Sequence, residues 1–451
     1  NYNLSKERQK IVLKLMLNNK KITKEEYEEA LNTELKIIGK KEDSNYISIN
    51  YFRDSVLEEL KTITEVPAST IETGGLKIYT TLDATAQKSL EDSVYSYIND
   101  DTKIETAAIM MDPNTGEVLA LIGGNNYSKS QFNRATKAKR QVGSTMKPLL
   151  YYSALESGFT SSSSFTSEKT TFTFSGGKSY SPKNYNDRYA EGPLSMEAAI
   201  AYSDNIYAVK THLFLGENNL INTAKRLGIT SNLSEVPSLA LGTSEISLIE
   251  MTSAYSCFAS LGYKTTPHFI KKIEDSKGNI LYENKEEKEL LLNPSLTYIL
   301  NEMLTSTYNK NFINYNYPTL ISLLPQITHK YAIKSGTTDT DLLIMGYNKN
   351  VVLGVWNGYD NNTKIDSSEY SHHKNIWIDT MESYFKQKEA SWYEIPNNVV
   401  GVLTEPITGA LATDETQNKE MFFYLKGTEP SAESNYKDLE AVFQEENNSN
   451  T

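Results

Sequence analysis

Apolar residues recur along this chain with two different periods, and each predicts a different element. Between Lys6 and Asn18, Ile11, Val12, Leu15 and Met16 fall on one face of a 3.6-residue turn and predict a helix. A second helix opens at Ile22-Thr23-Lys24-Glu25-Glu26, where Thr23 as N-cap and Glu26 three residues on form a capping-box pattern; together the two helices span 4–37. Residues 38–72 are charged and irregular and read as a linker with a short extended piece. Gly75–Thr81 alternates like a strand, and 84–98 has helical spacing. The apolar runs from Ala107 to Met111 and from Val118 to Ile122 flank Pro113-Asn114-Thr115-Gly116, a hairpin signal. Residues 145–157, 195–214 and 246–260 read as helices, and the Ser/Thr/Gly/Phe-rich segment 161–181 as loop with an exposed strand or two. Tyr331–Ile333 reads as a strand, and Leu342–Tyr347 with Val351–Trp356 as a strand pair. Strands near both ends with helices between them predict a mixed fold, α+β or α/β, in which an antiparallel sheet is flanked by helices and carries a helical lobe.

Composition narrows the partners. A length of 451 residues points to two or three domains, and 39% hydrophobic with 23% charged residues is ordinary for a globular chain. The net charge of −12 argues against a nucleic-acid partner, which needs a basic face. Cys257 is the only cysteine, so no intramolecular disulfide or cysteine metal site can form, and its helical surroundings suggest a small buried apolar residue. His372 and His373 are adjacent and so point in different directions, which disfavours a shared metal. Asp360-Asn361-Asn362 has a faint oxygen-cluster look but reads as a solvated loop. The tyrosines at 308, 315, 317 and 331 could line a groove, though most are expected to be half-buried. No run of 18 apolar residues spans a bilayer, and the opening Asn1, not a methionine, reads as an artificial boundary or a trimmed product, so an upstream anchor could have been removed.

The chemistry sits in three short motifs: Ser144-Thr145-Met146-Lys147, Ser203-Asp204-Asn205 and Lys334-Ser335-Gly336-Thr337-Thr338. A serine, two lysines, a second hydroxyl and an amide are what acyl transfer through a serine ester needs when no histidine is used. Three residues of separation put Ser144 and Lys147 on one face of a helical turn, read here as the first turn of a helix. Lys147 can take the serine proton only if partly neutral, which desolvation and a second cation favour, with Lys334 as that cation. Ser203 and Asn205 alternate around Asp204 and would both face the site if the turn is extended: a hydroxyl to relay a proton, an amide to hold a carbonyl and an ammonium. The third motif is expected on an edge strand, where main-chain pairing holds an extended substrate peptide and Gly336, counted among the substrate-binding residues, permits its close approach. The Ser144 and Thr337 N–H groups would form an oxyanion hole, and Lys334, Ser335, Thr337 and Thr338 would hold a substrate carboxylate.

These motifs, in this order, are together a signature of class A β-lactamases and penicillin-binding proteins. The wider phrases resemble class A (high-molecular-mass, bifunctional) penicillin-binding proteins. They are Phe132-Asn133-Arg134-Ala135-Thr136 leading to Arg140-Gln141-Val142-Gly143, then Asn184-Tyr185, Gly192-Pro193-Leu194, Leu239-Ala240-Leu241-Gly242, and Lys426-Gly427-Thr428-Glu429-Pro430. The resemblance runs from about residue 73 to 430. It implies a penicillin-binding transpeptidase domain of serine β-lactamase-like fold over 73–385, a strand-rich extension over 386–440, and a disordered tail over 441–451. Residues 1–72 resemble the end of the glycosyltransferase half and the inter-domain linker; the glycosyltransferase core and the membrane anchor lie outside this chain. By the same resemblance the chain is a D,D-transpeptidase acting on D-Ala-D-Ala stem peptides and glycan strands at the extracytoplasmic face of the plasma membrane. It would need no cofactor or metal, would be inhibited covalently by β-lactams, and could work beside other cell-wall synthesis proteins.

Two positions depart from the family pattern. Ser335 stands where threonine is common and keeps a hydroxyl. The stretch 339–347 is short, with Leu343 where tryptophan is usual, so acceptor binding or β-lactam affinity could differ. The same motifs also serve β-lactamases, D,D-carboxypeptidases and non-catalytic β-lactam sensors. Glu217, in a segment that reads as a helix start, is the one superficial match to a deacylating carboxylate.

Overall fold

A computed structural model describes residues 2–34, 49–98 and 102–431. The chain forms two compact units, 1–47 and 48–451. In the first, α1 (Tyr2–Asn18) and α2 (Lys24–Asn32) are joined by a short turn. The Thr23 hydroxyl accepts from the Glu26 N–H while the Glu26 carboxylate accepts from the Thr23 N–H, the reciprocal cap expected from the sequence.

The larger unit is built on a five-stranded antiparallel sheet: β1 (Glu105–Met111), β2 (Val118–Ile122), β3 (Ala332–Thr337), β4 (Asp341–Tyr347) and β5 (Val352–Gly358), in the order β3-β4-β5-β1-β2. The expected hairpin at 113–116 joins β1 to β2, with the Gly116 N–H donating to the Asp112 carbonyl. Ala107, Ile109 and Met111 enter one hydrophobic core and Ala108 and Met110 another on the opposite face. Both faces are covered, which is why this strand reads as an unbroken apolar run rather than an alternation.

Seven helices frame the argument: α3 (Ile49–Leu60), α4 (Ala84–Tyr97), α5 (Lys147–Glu156), α6 (Met196–Tyr202), α7 (Asn205–Leu215), α8 (Leu248–Ala259) and α9 (His372–Phe385). Helices α4 and α9 pack on each other and on one face of the sheet, while α5 and α8 contribute to the core on the other. The Trp377 indole N–H donates to the Leu353 carbonyl and pins α9 to β5.

Several expectations are corrected. The stretch expected as a linker contains α3, whose Phe52, Val56 and Leu60 are buried in the core of the larger unit. The helix expected over 195–214 is two helices, broken at Ser203. The loop expected over 161–181 begins with a buried strand, Ser164–Ser167. The Ser161 hydroxyl donates to the Phe423 carbonyl and the Ser162 hydroxyl to the Gly409 carbonyl, tying this region to the hairpin Val399–Thr404/Glu420–Leu425. Cys257, in contrast, lies as expected, fully buried in α8, and burial raises its thiol to about 12. The Asp360 carboxylate is taken by Arg134. Residues 441–451, expected as a disordered tail, lie outside the described residues. No described helix is long and apolar enough to cross a membrane.

Candidate active site

Of residues 142–155, Ser144 alone is not buried. It sits in a 3₁₀ turn, Gly143–Met146, and the α-helix begins only at Lys147, one turn later than the sequence suggests. The turn is held from behind: the Gly143 N–H donates to the Gly242 carbonyl and the Tyr255 hydroxyl to the Thr145 carbonyl. Edge strand β3 closes it on another side. A Cβ on Gly336 would lie 2.4 Å from the Val142 carbonyl oxygen, so glycine here serves the packing of β3 against the serine turn. A Cβ on Gly143 would meet the Thr337 nitrogen at 3.1 Å, which puts the backbone at Thr337 beside the serine turn.

Lys147 and Lys334 are fully buried. Lys334 follows Ala332 by two positions and shares its side of β3, toward the core that holds α5. The two ammonium groups meet on one atom: Ser203 Oγ accepts from Lys334 Nζ at 2.9 Å and from Lys147 Nζ at 3.2 Å. Lys147 Nζ also donates to Asn205 Oδ1 at 2.7 Å and to the Ser203 and Asp204 carbonyls at 2.7 and 3.1 Å. Its hydrogen bonds among the described residues do not include Ser144.

Ser203 and Asn205 do reach the site together, but not through an extended turn. Ser203 adopts φ 55°, ψ 45° at the end of α6, and Asp204 then caps α7 by accepting from the Tyr207 N–H. A left-handed serine costs about 1–2 kcal/mol, and it delivers a hydroxyl to both lysines. Asn184, quoted in the sequence without a role, anchors this turn: its Oδ1 accepts from the Asn205 N–H at 2.7 Å, and its Nδ2 donates to Asp204 Oδ2 at 2.6 Å.

Burial drives Lys147 down to about 7, against the opposing pull of the Asp204 carboxylate. Burial first, then the charges of Lys147 and Lys374, hold Lys334 well below the ordinary lysine range. The pair therefore does not carry two full charges at neutral pH, and an amine is available to accept a proton.

A cleft of about 690 Å³ opens here. Ser144, Ser203, Asn205, Ser335 and Thr337 line it, while Lys147 and Lys334 lie behind, reaching it through Ser203. Thr338 does not line it. Expected to hold substrate, its hydroxyl instead accepts from the Asp341 N–H at 2.9 Å and closes the β3–β4 turn. Leu343, the departure that seemed to border the site, is buried opposite Trp356; Leu342 is the strand residue that lines the cleft. Of the four clustered tyrosines, Tyr317 lines the cleft and Tyr308 and Tyr331 are buried in the core. Glu217 opens the helix Glu217–Arg226 and is not among the lining residues, none of which carries a carboxylate. No described cluster of His, Cys, Asp or Glu is arranged to hold a metal.

The family model of the penicillin-binding protein transpeptidase domain matches residues 106–367, more than half of the chain. The chain belongs to that family. The chain is 40% identical to penicillin-binding protein 2D of Bacillus subtilis over 95% of its own length and 62% of that protein's. It is 36% identical to penicillin-binding protein 1A of Aquifex aeolicus over 72% of its length, which is 44% of the relative. The chain thus spans less than two thirds of these relatives. Among solved structures, penicillin-binding protein 1A of Haemophilus influenzae superposes with a TM-score of 0.77 at 22% identity, covering 96% of this chain and 83% of that one. The penicillin-binding protein PonA1 of Mycobacterium tuberculosis gives 0.65 at 22% identity, covering 77% and 94%. These likenesses establish the fold, an α+β transpeptidase fold on an antiparallel sheet.

Proposed function

We propose that the chain is a D,D-transpeptidase of peptidoglycan assembly, acting outside the cytoplasmic membrane through an ester on Ser144. The observation that carries this is the convergence of two depressed lysines on Ser203 Oγ, beside the cleft that Ser144 lines. Ser144 Oγ attacks the carbonyl of the penultimate D-Ala and loses its proton to neutral Lys147. The Ser144 and Thr337 N–H groups receive the developing oxyanion. Ser203, bonded to both amines, relays a proton to the departing D-Ala nitrogen as the C–N bond breaks, leaving an acyl-enzyme. An acceptor amine on a second stem peptide then reverses these steps and forms the cross-link. Asn205, oriented by Asn184 and bonded to Lys147, presents its Nδ2 edge where the chain of the donor peptide would run, beside the Lys183 carbonyl to which it donates.

A β-lactam offers a strained amide to the same serine. No carboxylate among the described residues lines the cleft to activate a deacylating water, which favours a long-lived adduct over β-lactamase turnover. Intact-protein mass spectrometry after incubation with benzylpenicillin tests the reading. The wild type should carry one adduct, stable over hours, and Ser144→Ala none. Labelling that survives Ser144→Ala would sink the assignment, and an adduct lost within seconds would move it to a β-lactamase.

A further inference from the structure

On α9 the inward stripe reads Lys374, Trp377, Ile378, Met381, Phe385, spaced by three and four. All but the first are buried apolar residues, so a lysine heads a stripe that otherwise makes core. Lys374 is half-buried at the cleft, beside Thr319, Tyr370 and Leu342 among its lining residues. Its Nζ makes a single hydrogen bond, 3.3 Å to the Thr319 carbonyl, and among the described residues no carboxylate pairs with it. An ammonium has three donors, so two remain unused. The carboxylate in the preceding turn, Glu369, lies 2.6 Å from His372 instead. Thr319 contributes a second unmet group: its Oγ1 is buried without a partner.

The enclosed arginines have a counter-ion: Arg134 meets Asp360 and Glu105, and Arg140 meets Asp341; Lys374, like Lys147 and Lys334, makes no carboxylate contact among the described residues. A cation withdrawn from water without one is unfavourable unless a ligand supplies the anion. The charge of Lys374 also reaches the catalytic pair, since it helps to depress Lys334.

We propose that Lys374 Nζ and Thr319 Oγ1 form the carboxylate-binding end of the donor subsite, holding the terminal carboxylate next to the scissile bond. This rests on the transpeptidase reading and changes one part of it: the charge is read by α9, with Ser335 and Thr337 supplying hydroxyls from β3. Lys374 is thereby a specificity-determining residue that selects a free C-terminus over an ester or an amide.

Acylation rates with benzylpenicillin and with its methyl ester, followed by intact-protein mass spectrometry on the full chain, test the proposal. Lys374→Met should slow the acid about 10- to 100-fold, the scale of one charged hydrogen bond. The ester, which lacks the charge that Lys374 would bind, should lose much less than the acid, and Lys374→Arg should recover most of the acid rate. Thr319→Val keeps the charge and should slow the acid about 3- to 10-fold, which provides an independent arm if Lys374→Met fails a thermal-melt check of folding. If the ester does not react even with wild type, the acid loss and its recovery by arginine decide. Equal losses on acid and ester, or an unchanged acid rate in a folded variant, would overturn the proposal. A wild type that forms no adduct with either compound would overturn the transpeptidase reading, and this subsite with it.

Discussion

Two sets of buried cations lie close to the β3–β4 turn, and the chain treats them in opposite ways. Arg140 donates from Nε to Asp341 Oδ1 at 2.6 Å, stacks 5.1 Å from the Trp356 ring, and shares that carboxylate oxygen with the Trp356 indole N–H. Lys147 is buried at least as deeply but has only carbonyl, hydroxyl and amide oxygens around it. The nearest charge that acts on it, Asp204, is itself committed to Asn184, Ser167 and the Tyr207 N–H. A carboxylate in contact fixes a cation as permanently charged and makes it structural. Neutral oxygens solvate the ammonium without holding its proton, so Lys147 falls to about 7 and becomes reactive.

Removing each cation or its partner should separate the two roles. Lys147→Ala deletes the proposed base and should slow acylation by benzylpenicillin about 10²- to 10⁴-fold, the usual range for general acid–base groups. Stopped-flow or mass-spectrometric acylation rates on protein shown to be folded check this. A loss of less than about tenfold would mean that another group takes the serine proton.

Asp341→Ala probes the paired cluster. It strands the Arg140 guanidinium and the Trp356 N–H, so unfolding stability should fall by about 3–5 kcal/mol, the cost of breaking a buried pair on one side. Denaturant titration reads this directly. Acylation per folded molecule should fall far less than in Lys147→Ala, and the reverse pattern would mean that the paired cluster, rather than the lysines, carries the chemistry.

The same contrast explains what could be read from the sequence. The three motifs, the Thr23–Glu26 cap and the hairpin at 113–116 are local: each depends on residues within a turn of one another, so spacing alone predicts them. Helix α3 was missed although Phe52, Val56 and Leu60 recur every four residues, because the charges around them hid the stripe. The break at Ser203 was not legible. Residues 195–214 carry continuous helical spacing, and only the lysines arriving from α5 and β3 give the left-handed serine a purpose. Gly336 was assigned to substrate because its real neighbour, the Val142 carbonyl, is distant in sequence. Lys374 left one faint sign, a charge at the head of an apolar stripe, which gains meaning only once α9 is packed beside the cleft.

The smallest expected effect sharpens the comparison most. If neutral Lys147 is the base, acylation must rise with pH: below about 7 the amine is protonated and each unit of acid should cost about tenfold, while above it the rate levels off. Asp204 raises the proton affinity of Lys147, so Asp204→Asn should move the midpoint of the limb to lower pH. Whatever its plateau, since Asn184 and Ser167 lose a charged acceptor, the variant should keep a larger share of that plateau rate at pH 6 than the wild type. Rates measured from pH 5 to 9 on both proteins decide it. A flat profile would remove Lys147 as the base, and a midpoint that moves upward would mean that the charge of Asp204 is felt by some other group.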